Sequence, residues 1–189
     1  MKQKIAIIIG TTRPGRVGDK IANWYFDQVK DTAGADFEVI DLKEVNLPLL
    51  DETIPASQGK YQNDHTKEWA KKIAGFDAYI WVTPEYNHTA PASLLNAISF
   101  VNPEWHRKPV AMVSYGGMGG VRAAEHLRQV AGELQMAAIR LSVMVREPWV
   151  AIDEAGNVKP EFIHGNPVHQ IEDLLWWANA LSEKRQTIS

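Results

Sequence analysis

Residues 4–9 (Lys-Ile-Ala-Ile-Ile-Ile) make an unbroken apolar run that stops at Gly10. A run without polar alternation is the pattern of a strand buried on both faces, as in a parallel sheet. A Gly/Pro loop follows, and from about Asp19 the residues Ile21, Trp24, Tyr25 and Val29 recur at helical spacing. Residues 37–40 read as a short strand closed by Asp41. Residues 42–64 carry Pro48, Pro55 and Gly59 without a clear period, so they are either a functional loop or an element whose pattern is hidden. Helix resumes from His65 to Ala74, and a strand over 78–82 ends at Thr83-Pro84. The next helix starts near Pro91, with Thr89 as the expected N-cap. A strand over 109–113 then runs into Ser114 and the glycine loop 116–120. A helix follows with Ala123, Leu127, Val130, Ala131 and Leu134 on one face, then a strand over 137–143 and a helix over 168–181.

Strand, loop and helix thus alternate about five times, the signature of a parallel sheet with helices on both faces. In such sheets ligands sit outside the carboxyl ends of the strands, so the loops just after each strand carry the information. The 189 residues fit one domain over 1–189, and 45% apolar with 23% charged residues places the chain among ordinary globular proteins. A net charge of −3 gives no electrostatic footprint for nucleic acid, and no apolar run is long enough to span a membrane. The segment Met1–Ile5 lacks the pattern of a signal peptide, so a cytoplasmic location is expected. Without cysteine, thiolate catalysis and Cys-ligated metals are excluded. The six histidines make no His-x-x-x-His spacing, and no metal site is expected.

The first post-strand loop is Gly10-Thr11-Thr12-Arg13-Pro14-Gly15-Arg16-Val17-Gly18. Hydroxyls and guanidinium groups around a helix N-terminus suit a dianionic phosphate, although a tight turn with surface arginines would look the same. Arg16 and Val17 stand where a P-loop needs Lys and Ser/Thr, and Thr12 stands where a dinucleotide fingerprint needs Gly. A mononucleotide is therefore favoured, with Asp41 keeping open a Rossmann-type ribose contact. The second loop, Pro84-Glu85-Tyr86-Asn87-His88-Thr89-Ala90-Pro91, offers a flat aromatic and an amide to a planar ring. Glu85 reads as a loop-ordering residue, and neither it nor His88 is assigned as a catalytic base. The third loop, Ser114-Tyr115-Gly116-Gly117-Met118-Gly119-Gly120, lets backbone approach a ligand closely.

Together these segments resemble the NADPH-dependent FMN reductase family of flavin, quinone and azo reductases. The resemblance covers about residues 1–145 and is clearest over Pro84–His88, Pro91 and Asn96-Ala97-Ile98. It implies a flavodoxin-like α/β three-layer sandwich, with a five-stranded parallel sheet in the order 2-1-3-4-5. It also implies bound FMN, with Thr11, Arg13, Arg16, Val17 and Gly18 at the phosphate. Pro84, Glu85, Tyr86 and Asn87 would line the ring, and Ser114, Gly116 and Gly117 its far side. Many members have Ser in place of Arg16, Lys in place of Leu95 and Asp in place of Ser99.

On this reading FMN takes electrons from NADPH or NADH and passes them to a quinone, free flavin or similar small acceptor at the same place. No side-chain nucleophile or base is required. The helix after Pro91 is apolar almost all round, which calls for cover from the 42–64 segment or from a second subunit; a homodimer or homotetramer is expected. Trp176 and Trp177 are read as packing residues. Two alternatives stay open: an electron carrier or redox sensor, and a Rossmann-type NAD(P)-binding protein using Asp41.

Overall fold

The computed structural model describes residues 2–187. Five parallel strands form the body of the sheet: β1 (Gln3–Ile9), β2 (Ala35–Asp41), β3 (Ala78–Pro84), β4 (Pro109–Gly116) and β5 (Ala137–Arg146). They lie in the order β2-β1-β3-β4-β5, and a sixth strand, β6 (Ile163–His164), closes the edge antiparallel to β5. The expected order is therefore correct for five strands and the expected count is one short. Two residues paired to Met144 and Val145 carry no period that a sequence can display.

Helices α1 (Gly18–Val29) and α7 (Pro167–Gln186) cover one face. There Ile21, Tyr25, Ile171 and Leu174 pack on Ile5, Ile7 and Ile9. Helices α3 (Asp64–Ala74), α4 (Ala92–Ser99) and α5 (Val121–Glu133) cover the other. Ala6 and Ile8 point to that side with Trp69, Leu94, Ala97, Trp81 and Trp105. The unbroken apolar run of β1 thus serves two cores, its residues alternating between them.

The 42–64 segment is not featureless: it holds α2 (Leu42–Val45) and a single 3₁₀ turn, Ala56–Gln58. The carboxylate of Asp41 caps α2 by accepting from the Lys43 N–H at 2.9 Å. Four residues are too few to show a helical period. The segment also covers part of α4, since Asn96 donates to Pro48 O at 2.7 Å and accepts from Leu50 N at 3.0 Å. A last short helix, α6 (Pro148–Ala151), follows β5.

Two expectations need correction. The N-cap of α4 is Pro91 in extended conformation, without a side-chain cap, and Thr89 belongs to the turn before it. Trp176 and Trp177 are 64% and 37% exposed and meet each other edge to face, because both fall outside the α7 stripe of Ile171, Leu174, Leu175 and Ala178.

Candidate active site

The register Ile9↔Val82, Thr83↔Ser114 and Pro84↔Tyr115 brings the ends of β1, β3 and β4 side by side, so the loops singled out above share one edge of the sheet. Glu85 N–H donates to Tyr115 O at 3.1 Å, continuing the β3–β4 pairing into the loops.

In the first loop Thr11 is buried, and its hydroxyl meets the Tyr86 hydroxyl at 3.0 Å, tying the first loop to the second. Arg16 is folded inward, donating to Thr11 O at 2.8 Å and pairing with the Asp41 carboxylate. That pairing occupies both the residue expected at the phosphate and the acid expected at a ribose. Arg13 is exposed. Val17 is the N-cap of α1 and gives no side-chain hydrogen bond to the helix, leaving the first-turn N–H groups for another acceptor. Gly18 opens the helix, and a Cβ there would stand 2.5 Å from the Tyr115 hydroxyl and 2.9 Å from Thr11 Cγ2.

Tyr115 is the functional candidate that sequence reasoning passed over. It is buried, its hydroxyl has no partner among the described residues, and burial pushes its pKa far above the phenol range. Arg13, Arg16 and Asp19 all lie close enough to act on it electrostatically. An orphaned hydroxyl beside an uncapped helix N-terminus fits a phosphate acceptor. Its only signal in the sequence was its place between Ser114 and Gly116.

The second loop is a tight turn. Tyr86 N–H donates to Thr89 O at 2.9 Å, Thr89 N–H donates back to Tyr86 O at 3.0 Å, and Asn87 and His88 have φ of 50° and 65°. Two central residues at positive φ are the mark of a type I′ turn, which usually employs Gly. The Thr89 hydroxyl is bonded to His126 Nδ1 on α5, which fixes the turn from behind. Glu85 accepts from Arg122 N–H at 3.0 Å and pairs with the Arg122 guanidinium. Burial raises the Glu85 carboxyl, but the Arg122 contacts outweigh it and hold the group below the ordinary carboxylate range. It stays ionised and orders the loop.

In the third loop Ser114 donates its hydroxyl to Gly119 O at 2.7 Å, and Gly119 N–H donates to Gly116 O at 3.0 Å. The Ser114 side chain therefore closes the loop on itself, and what the loop presents outward is backbone. Gly120 has φ 74°, and a Cβ there would stand 2.7 Å from Tyr115 N, so no side chain fits. A Cβ on Gly117 would meet Trp149 at 3.6 Å; that tryptophan is 69% exposed at the rim. A helix N-terminus, an unpartnered phenol, a rigid polar turn and a glycine-lined backbone fit a phosphorylated ligand with a planar ring, FMN included. No group of acidic or imidazole side chains among the described residues is arranged to hold a metal ion.

Residues 3–150 match the family described as NADPH-dependent FMN reductase. An NAD(P)H-dependent FMN reductase of Schizosaccharomyces pombe is 42% identical over 135 residues, 70% of this chain and 68% of that protein. Another, from Saccharomyces cerevisiae, is 33% identical over 180 residues, 89% of this chain and 94% of its own length. Among solved structures, a flavoenzyme NAD(P)H:(acceptor) oxidoreductase from Paracoccus denitrificans superposes with a TM-score of 0.66 at 18% identity, covering 96% of each chain.

Proposed function

Because the chain belongs to the NADPH-dependent FMN reductase family, we propose that it binds FMN across these loops and uses it to reduce a quinone, free flavin or similar small acceptor with NADPH or NADH. The observation that carries the placement is the buried, unpartnered Tyr115 hydroxyl beside the uncapped N-terminus of α1. The flavin, when bound, supplies the electron relay between nicotinamide and acceptor. The chain's own residues bind and orient.

The first-turn N–H groups of α1, with the Thr12 hydroxyl, the Arg13 guanidinium and Tyr115, hold the phosphate. Arg16 contributes less directly: paired with Asp41, it fixes the carbonyl of Thr11 and thereby the path of the loop. Tyr86 and Asn87 form one wall for the ring, held by the Thr11 and His126 contacts. Backbone N–H groups of the glycine loop form another, as fixed dipoles that favour negative charge on the ring without reorganising. Glu85 has no proton to give while paired with Arg122.

The chain works in the cytoplasm as a homodimer or a dimer of dimers. Leu49 and Leu50, 82% and 47% exposed beside α4, support self-association. No helix of the described residues is long and apolar enough to cross a membrane.

The test is an absorption spectrum of protein supplied with FMN, then anaerobic NADPH. Retained flavin bands that bleach support the reductase reading. Bands that persist indicate a carrier or sensor, and failure to retain or bind FMN overturns the proposal. Parallel steady-state lines at varied NADPH and quinone are expected if both use one place; intersecting lines refute a shared place.

A further inference from the structure

We propose that the cavity on the other side of the first loop receives the 2′-phosphoadenosine end of NADPH, with Lys43 as the residue that reads the 2′-phosphate. This rests on the reductase reading above and adds a nucleotide preference to it. The cavity has a volume of about 450 Å³ and is bounded by Thr12, Lys43, Asn46, Leu47, Ser93 and Asn96. That is within the size range of small-molecule sites. It opens on the face of the sheet opposite α1: Leu42 and Ala97 at its edge belong to the core under α3 and α4, whereas α1 packs in the other core. It is therefore separate from the α1 N-terminus, yet it shares Thr12 with the loop proposed to hold the flavin phosphate.

Its walls are fixed in advance. Asn96 holds the 48–50 backbone by donating to Pro48 O at 2.7 Å and accepting from Leu50 N at 3.0 Å. Asp41 holds Lys43 N–H at 2.9 Å, and Asn46 terminates α2 with φ 51°. A cavity formed without its ligand costs little ordering on binding. Its chemistry is graded. Leu47 and Ala92 give an apolar shelf for a purine, and the Ser93 hydroxyl, which donates to Gly10 O at 2.6 Å, is left to accept from a ribose hydroxyl.

The charge distribution selects the anion reader. Arg16 is neutralised by Asp41, so it is not available to a second phosphate. Lys43 is exposed and makes no ion pair among the described residues. An ammonium at the rim of a polar cavity is a point charge suited to a phosphate monoester, which NADPH carries and NADH lacks.

Calorimetry with 2′,5′-ADP and with 5′-AMP tests this on the purified chain, on Lys43→Ala and on Lys43→Arg. The natural chain should bind 2′,5′-ADP the more tightly. Lys43→Ala should lose roughly tenfold of that affinity, and Lys43→Arg should restore most of it. The ratio of kcat/KM for NADPH to that for NADH should fall in step in Lys43→Ala. Equal affinity of the natural chain for the two adenylates, or no loss in Lys43→Ala, overturns the assignment. Calorimetry with adenylates needs no flavin, and FMN retention is scored separately by absorbance. Failure of the reductase reading would therefore be distinguishable from failure of this one.

Discussion

At the scale of single residues, Tyr115 separates binding from folding. Its hydroxyl is buried without a partner among the described residues, so it makes no hydrogen bond with them that would stabilise the unliganded chain and carries a desolvation cost. Tyr115→Phe should leave the melting temperature of the flavin-free protein unchanged or slightly raised. FMN affinity should fall by about tenfold, the loss of one hydrogen bond to a charged group. Flavin fluorescence titration alongside thermal melts reads both. Unchanged FMN affinity would remove Tyr115 from the phosphate site. Glycine identity is constrained nearby for a different reason: at Gly120 the φ of 74° and a 2.7 Å approach to Tyr115 N forbid any side chain.

Two elements store cost for position. The turn Tyr86–Thr89 places His88, a non-glycine residue, at φ 65°. Left-handed backbone costs an ordinary residue roughly 1–2 kcal/mol. His88→Gly should therefore raise stability by about 0.5–1 kcal/mol in denaturant melts. A loss of stability instead would mean that the imidazole makes a stabilising contact. The other element is the C-terminal end of α3, where the Lys108 ammonium donates to Ile73 O at 3.3 Å, Ala74 O at 3.2 Å and the Tyr79 hydroxyl at 3.0 Å.

Burial, with Arg185 next in effect and against the pull of Asp77 and Glu104, brings the Lys108 pKa down to about 8. The unfolded chain keeps this lysine protonated up to about pH 10, so between about pH 8 and 10 it binds more protons than the folded chain. Stability from this group must rise with pH across that window. Lys108→Met lacks the titration, so the melting temperature of the natural chain minus that of the variant should increase from about pH 7 to about pH 9.5. A flat difference would show that Lys108 titrates normally.

For the whole molecule the open question is assembly. One side of α4, with Leu94, Ala97 and Ile98, is covered from within by the core of Trp69 and Trp105, and the 48–50 segment is held on Asn96. The sequence favoured a subunit interface over cover by the 42–64 segment, and intrachain packing supplies part of the cover through Asn96. Beside α4, Leu49 and Leu50 stay exposed. A carboxylate cannot be buried there without a partner, so Leu49→Asp should shift the mass measured by light scattering from dimer toward monomer. If the natural chain is itself monomeric at working concentration, self-association is refuted.

The parallel strands and the loops that follow them were legible in the sequence itself, and the strand order came with the family resemblance. Strands buried on both faces must be apolar throughout, and close backbone approach demands glycine, so both leave marks in local composition. The apolar runs 4–9 and 78–82, the glycines of 116–120 and those of the 10–18 loop carry such marks. Other features depend on partners distant in the chain, and no local pattern records a distant partner. Arg16 meets Asp41, Glu85 meets Arg122, Thr89 meets His126, and Tyr115 leans on Gly18. The two-residue β6 and the four-residue α2 are likewise too short to repeat a period. Sequence determined where the strands and the glycine loops after them would lie, because periodicity and glycine are local physics. Tertiary structure decided which side chains remain free to meet a ligand, because it alone determines which charges and hydroxyls already satisfy one another.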